Sequence, residues 1–334
     1  MNNRENALIA LKGGKPQSVP CFFSACQIIP AAGTALECPP MGNKEGYDGY
    51  GVHMSSTEGS GGMFTPTPTA APVLTDITLW KEQVKFPDYN AVNFESMVEQ
   101  ERQMFHLDPE NFVQDLFCPN GMFERLHFLM GFEDALMAIM EEPEAVYDLA
   151  GAIADKKIEF IKKAAKYYQP DYFTYLDDYS HKTDLFMSKN TFREIFKPHL
   201  KRIVDAVKET DMTFKMHCCG KMEDLLDDFL EIGITAFDPV QCVNNIPVMK
   251  KKTLGRAGLM GGLDVQGIVD MGEVSEDALR KEVRRCIDTY AEGGGYMIYG
   301  ASIHMFNPAA YEPTGPLGII IDECAKYGKN YYQK

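Results

Sequence analysis

The chain has 334 residues, 45% hydrophobic and 24% charged, the balance of a globular protein with a sizeable core. Its formal net charge of −15 excludes a surface built for nucleic acid or anionic lipid, which needs clustered Lys and Arg. No apolar run approaches the roughly 20 residues of a membrane span, no charged start leads into an apolar stretch, and the nine Cys follow no regular spacing. A cytoplasmic protein with reduced thiols is therefore expected.

In chain order, residues 3–12 place Ala7, Leu8, Ala10 and Leu11 at helical spacing, and Gly13-Gly14 stops them. Residues 19–24 read as a first strand. Residues 25–42, poor in charge and rich in Pro, Ala and Gly, read as a loop at a barrel mouth. Residues 50–54 are a second strand, followed by a Ser, Thr and Gly loop over 55–62. Helices are expected near Trp80, over 95–104 and over 122–140, with a strand at 113–119. Pro143 suits a first helical turn, and Val146, Leu149, Ile153, Phe160 and Ile161 continue the apolar stripe. Residues 172–176 form a strand that ends in Asp177-Asp178. The helix carrying Phe192, Leu200, Ile203 and Val207 should kink or split at Pro198. Residues 212–217 are a buried strand ending abruptly in His217-Cys218-Cys219-Gly220, and a helix pattern follows at once. Strands at 234–239 and 256–262, a helix N-capped by Ser275, the stop at Gly293-Gly294-Gly295 and a last strand at 296–299 complete the chain.

Eight strands, most followed by helices, argue for a parallel sheet. With no Gly-rich phosphate fingerprint after the first strand, the expected fold is α/β, a single (β/α)8 TIM barrel over residues 1–334 with an N-terminal helix and mouth loops. Barrel chemistry sits at the C-terminal ends of the strands. There His217 and Cys219, two residues apart, can both face the mouth, and imidazole with thiolate suits zinc. The same residues would also serve as a hydrogen-bonded His beside small packing Cys. Asp177 and Asp178 can accept a proton, hold a metal or orient a substrate, or else cap a turn and meet solvent. Asp264 carries the same ambiguity, and Asp238-Pro239 either lines the mouth or terminates a strand. His304, just past the last strand, is a metal ligand, a proton donor or a hydrogen-bonded loop residue; His53 is placed similarly. Phe22, Phe23, Met54, Phe117 and Tyr179, near strand ends, could line a pocket for a flat apolar ligand or pack in the core.

The order and spacing of several motifs together resemble the uroporphyrinogen decarboxylase superfamily along nearly the full length. They are Arg4-Glu5-Asn6-Ala7-Leu8 through Val19-Pro20, Thr75-Asp76-Ile77 with Trp80 and Phe86-Pro87-Asp88, and Gly131-Phe132-Glu133. Pro170-Asp171 through Asp177-Asp178, Met187-Ser188 and Lys197-Pro198 follow. His217-Cys218-Cys219-Gly220, Gly261-Gly262-Leu263-Asp264 and Gly293-Gly294-Gly295-Tyr296 close the series. The decarboxylase branch holds its polyanionic substrate with Arg after the first strand, and residues 17–40 here contain none. The methyltransferase branch uses zinc on His-x-Cys and a later Cys. His217 and Cys219 match the first two ligands, but the later position is Ser302, a poor zinc ligand. Either His304, Glu58 or an Asp completes the shell, or the metal is weakly bound or absent. The resemblance implies an enzyme with one zinc per chain that moves a methyl group to the cobalt of a corrinoid carried by a partner protein, since no cobalamin-binding Asp-x-His-x-x-Gly is present. An O-methyl donor such as a methoxylated aromatic is the expected substrate, with Asp177, Asp178 or His304 orienting it or managing a proton. Alternatives are a methylcobamide:thiol methyltransferase, a uroporphyrinogen decarboxylase-like lyase, and a barrel that binds a tetrapyrrole or corrinoid partner without catalysis.

Overall fold

The computed structural model describes residues 1–30, 36–39, 43–57, 63–272 and 274–333. Seven strands form one parallel sheet: β1 (Cys26–Ile29), β5 (Val113–Cys118), β6 (Tyr172–Leu176), β7 (Thr213–His217), β8 (Ala236–Val240), β9 (Gly258–Gly262) and β10 (Tyr296–Tyr299), in that spatial order. Every residue of β6, β8, β9 and β10 is buried. That pattern is expected of parallel strands joined by crossover helices, which leave neither face to water. β2 (Glu45–Tyr47), β3 (His53–Ser56) and β4 (Phe64–Pro66) make a separate antiparallel sheet.

The strand count therefore differs from expectation. Of the segment read as a second barrel strand, His53 and Met54 lie in the small antiparallel sheet, and residues 50–52 form a turn in which the Asp48 carboxylate accepts from the N–H groups of Tyr50 and Val52. Residues 19–24 are not a continuous strand either, since Phe22–Ala25 form a helical turn. The stretch read as a mouth loop instead contributes β1. The parallel sheet is curled, and Cys21 makes an isolated parallel bridge to Ile298, whose N–H donates to Pro20 O at 3.0 Å.

The helices obey local rules. The expected helix over 122–140 is two, Met122–Met130 and Phe132–Glu141, divided at Gly131 with φ 93°. The break expected at Pro198 falls at Phe196, so that Pro198 occupies the first turn of Lys197–Lys208, where its missing N–H costs nothing. Ser275 accepts from Ala278 N and caps Glu276–Tyr290.

One buried charge cluster ties the N-terminal segment to the helices. Arg125, fully buried on Met122–Met130, pairs with Glu37 and Asp48, each at 2.5 Å, and stacks 4.1 Å from the Tyr50 ring centroid. Lys157, on Pro143–Tyr167, adds a 2.7 Å contact to Glu37. Burial pushes the Asp48 carboxyl up, and the Arg125 charge opposes that shift. Arg125→Ala should leave buried carboxylates without their main partner and destabilise the fold by about 3–5 kcal/mol, read from the urea midpoint at pH 7.

Candidate metal centre

β6 and β7 end level with each other, beside Asp238 in the middle of β8. Leu176 pairs with His217 and His217 with Asp238. The backbone ladder runs one residue further: Asp177 N donates to His217 O at 3.1 Å and Cys218 N to Asp238 O at 2.9 Å. This brings Asp178, His217 and Cys219 together, and among the described residues they are the group whose ligand atoms lie within 4.8 Å of one another. The turn after Cys219 needs Gly220, with φ 84°; a Cβ there would lie 2.6 Å from His181 O. Gly220 N donates to Gln241 Oε1 at 2.9 Å, which fixes the turn from the loop after β8.

Each member of the group is aimed by a neighbour. The His217 Nδ1 lies 2.8 Å from Asp238 Oδ1, while its Nε2 lies 3.6 Å from Cys219 Sγ. Asp178 Oδ1 accepts from Cys219 N at 2.6 Å, which leaves its other oxygen for a ligand. Behind His217 the charges continue. Lys215 Nζ lies 2.8 Å from Asp238 Oδ2 and donates to Asp115, which also accepts from Thr174. Both Asp238 oxygens thus lie 2.8 Å from a nitrogen, the Lys215 contact being an ion pair and the His217 contact one only when the imidazole is protonated. Lys215 and His217 share a face of β7 because side chains alternate along a strand.

The pKa pattern follows from burial and these neighbours. Burial works against the His217 imidazolium, but the Asp238 carboxylate outweighs it and holds His217 above its ordinary value. Burial would raise Asp238, yet Lys215 and His217 bring it below. Burial raises Asp178 and carries the Cys219 thiol well above its usual range, with Asp178 adding to the latter shift.

The donor set fits a tetrahedral zinc. Bonds of about 2.3 Å to sulfur and about 2.0–2.1 Å to imidazole nitrogen place those atoms roughly 3.6 Å apart, the separation found between Cys219 and His217. A carboxylate at the first imidazole nitrogen, with the second facing the ligand group, is the usual outer-shell arrangement of a metal-binding His.

The other expected residues are distributed as follows. Asp177 is wholly buried and accepts from the N–H groups of Phe123 (3.2 Å) and Glu124 (2.9 Å) at the start of Met122–Met130. Burial pushes its carboxyl up to about 6 against those bonds. A Cβ at Gly121 would lie 2.3 Å from Asp177, so this close approach requires glycine. His304 stands apart from the three, partly exposed and 4.0 Å from Asp270; Ser302 is buried and donates to Asp270 at 2.5 Å. His53 contacts Thr67 Oγ1 in the small sheet, Asp264 accepts from Gly267 N, and Glu58 lies outside the described residues. Phe117 sits beside His217 with ring centroids 6.5 Å apart. Phe22 and Phe23 pack on Tyr299, at 4.5 and 5.9 Å. Tyr179 is buried among Phe123, Phe192 and Phe196, and Met54 is buried on β3.

Sequence reasoning left Asp238 undecided and passed over Lys215, Asp115 and Glu124. The signal for the first three was an ionisable residue inside a buried strand. Glu124, on the first turn of Met122–Met130, is held well above its ordinary pKa by burial and by Asp178 and Asp177.

A curled parallel sheet with His, Cys and Asp side chains convergent at its C-terminal edge defines an α/β protein with a group that could hold a metal ion. The family model for uroporphyrinogen decarboxylase (URO-D) matches residues 121–309, which include all three of those side chains. The chain belongs to the uroporphyrinogen decarboxylase family. A stretch of 108 residues is 28% identical to a uroporphyrinogen decarboxylase of Ralstonia pickettii, covering 31% of this chain and only 27% of that enzyme. A methyltransferase from Methanosarcina mazei superposes over 100% of both chains with a TM-score of 0.64 at 14% identity, which shows a shared fold.

Asp238→Asn should lower zinc affinity by roughly 10–100-fold, the usual effect of removing an outer-shell partner of a ligating His. His304→Ala and Ser302→Ala should leave it unchanged. Competition with a chromophoric chelator measures all three.

Proposed function

We propose that the protein is a methyltransferase that moves a methyl group from a small O-methyl donor, such as a methoxylated aromatic, to the corrinoid cobalt of a partner protein. The observation that carries this reading is the convergence of Asp178, His217 and Cys219 at the C-terminal ends of β6 and β7. The full-length likeness to a methyltransferase fold supports it, as does the absence of Arg from residues 17–40. The curled sheet, touching its own start through Cys21 and Ile298, is taken to be the wall of a (β/α)8 barrel.

Zinc held by His217, Cys219 and Asp178 would supply a Lewis acid for the ether oxygen. The chain's own residues do the rest. Asp238 holds Nδ1 of His217 so that Nε2 faces the centre. Cys219 N–H occupies one oxygen of Asp178 and presents the other. Asp177 fixes the start of Met122–Met130 over the same loop. Phe117, half-buried beside His217, offers a face to a flat neutral ring. When the carbon–oxygen bond breaks, its electron pair stays on the oxygen, which then takes up a proton from solvent.

A decarboxylase reading is favoured by the family model and by the Ralstonia relative. It requires cationic residues for a polyanion, and the stretch that carries them in that branch has none.

Purified protein should hold about one zinc per chain by elemental analysis, lost in His217→Ala and Cys219→Ala, and should demethylate a methoxylated aromatic only with reduced corrinoid protein. Absence of divalent metal under replete conditions, or turnover of uroporphyrinogen, would overturn the assignment. Since His217 and Cys219 both hold their protons more tightly than usual, zinc must displace them, and zinc affinity should rise with pH.

A further inference from the structure

Lys215 is almost completely buried in the sheet interior, two residues before His217, and the reading above gives it no role. It bonds Asp115 on β5 and contacts Asp238 on β8. The ring centroids of Phe22 and Phe117 each lie 5.7 Å from its ammonium. These rings cover the charge and keep water from it, so Lys215 and Asp238 attract each other in a poorly screened environment. Asp238 therefore stands between two partners, Lys215 on one oxygen and His217 on the other.

A carboxylate with one strong partner can rotate to follow it, but one held at both oxygens cannot. Asp115 completes the arrangement: fixed by Thr174 as well as by Lys215, it holds the ammonium in place. The line Asp115, Lys215, Asp238, His217 thus runs from the sheet interior to the metal-ligand group, across β5, β7 and β8.

We infer that Lys215 is a positioning residue for the metal centre: held by Asp115, it fixes the Asp238 carboxylate and through it the direction of His217 Nε2. This rests on the reading of Asp178, His217 and Cys219 as metal ligands. It predicts that metal affinity depends on a lysine that touches neither the metal nor any ligand atom.

Lys215→Met leaves two buried carboxylates unbalanced and risks misfolding, so the decisive variant is the charge-balanced pair Asp115→Asn with Lys215→Met. Zinc affinity by chelator competition, the cobalt(II) d–d spectrum and the thermal midpoint of the metal-free protein are measured on the parent and on this variant. The expected result is an affinity at least tenfold below the parent and shifted d–d bands, with cooperative unfolding retained. Lys215→Arg, which keeps the charge, should recover part of the affinity. If the charge-balanced variant binds zinc as the parent does, Lys215 has only a structural role and the inference fails. If it does not unfold cooperatively, Lys215→Arg decides, and parent affinity combined with an unaltered d–d spectrum overturns the inference. A parent that binds no divalent metal refutes the metal-site reading itself, which separates the two failures.

Discussion

The site depends on a charge buried where charge is costly. Taking Lys215, Asp115 and Asp238 out of water carries a penalty of several kcal/mol per ion that only close pairing offsets, and here each carboxylate lies against the one ammonium. The three residues come from three strands, so the pairing also fixes their register. A slip of one residue in β7 would send Lys215 and His217 to the helix-covered face, leaving two carboxylates buried without a cation. The register of β7 against β6 and β8 is thus reinforced from within, and that register gathers Asp178, His217 and Cys219.

A second buried network works from outside the sheet. Arg125, held by Glu37 and Asp48, anchors the helix Met122–Met130 to the N-terminal segment. The first turn of that helix is fastened to Asp177 through the N–H groups of Phe123 and Glu124. Helix N-termini carry unsatisfied N–H groups and partial positive charge, and a buried carboxylate from the neighbouring strand answers both. Asp178 follows Asp177 directly, so the helix that stabilises Asp177 also sets the height of its neighbour at the sheet's C-terminal edge. Adjacent aspartates that look equivalent in sequence are thereby divided, one facing the helix and one facing Cys219.

Much of this was legible in the sequence because the ends of the buried strands are abrupt. An apolar run followed by Asp-Asp or His-x-Cys-Gly marks the level at which polar side chains emerge, and the strands at 172–176 and 296–299 fall where the pattern put them. What escaped was long-range. Lys215 and Asp115 are 100 residues apart, and nothing local in either strand announces the other. Residues 50–54 carry a strand pattern, but alternation does not say which sheet a strand joins, and the antiparallel sheet took its place. His304 was the suitable residue nearest to Ser302 along the chain; in space its neighbour is Asp270, and the carboxylate beside Cys219 is Asp178, just past the end of β6.

The replacement of a sulfur donor by Asp178 has a chemical consequence under the proposed reading. Carboxylate and thiolate each bring one negative charge, so a His, Cys and Asp set has the same formal charge as a His, Cys and Cys set. The oxygen is the harder and less donating ligand. A centre with one thiolate fewer leaves more positive charge on the metal and polarises a bound oxygen more strongly. A centre that activates a thiol gains from the opposite, since electron-rich ligands keep a bound thiolate nucleophilic. The Asp178 position therefore favours the direction in which an ether oxygen is the leaving group over the direction in which a thiol is the acceptor.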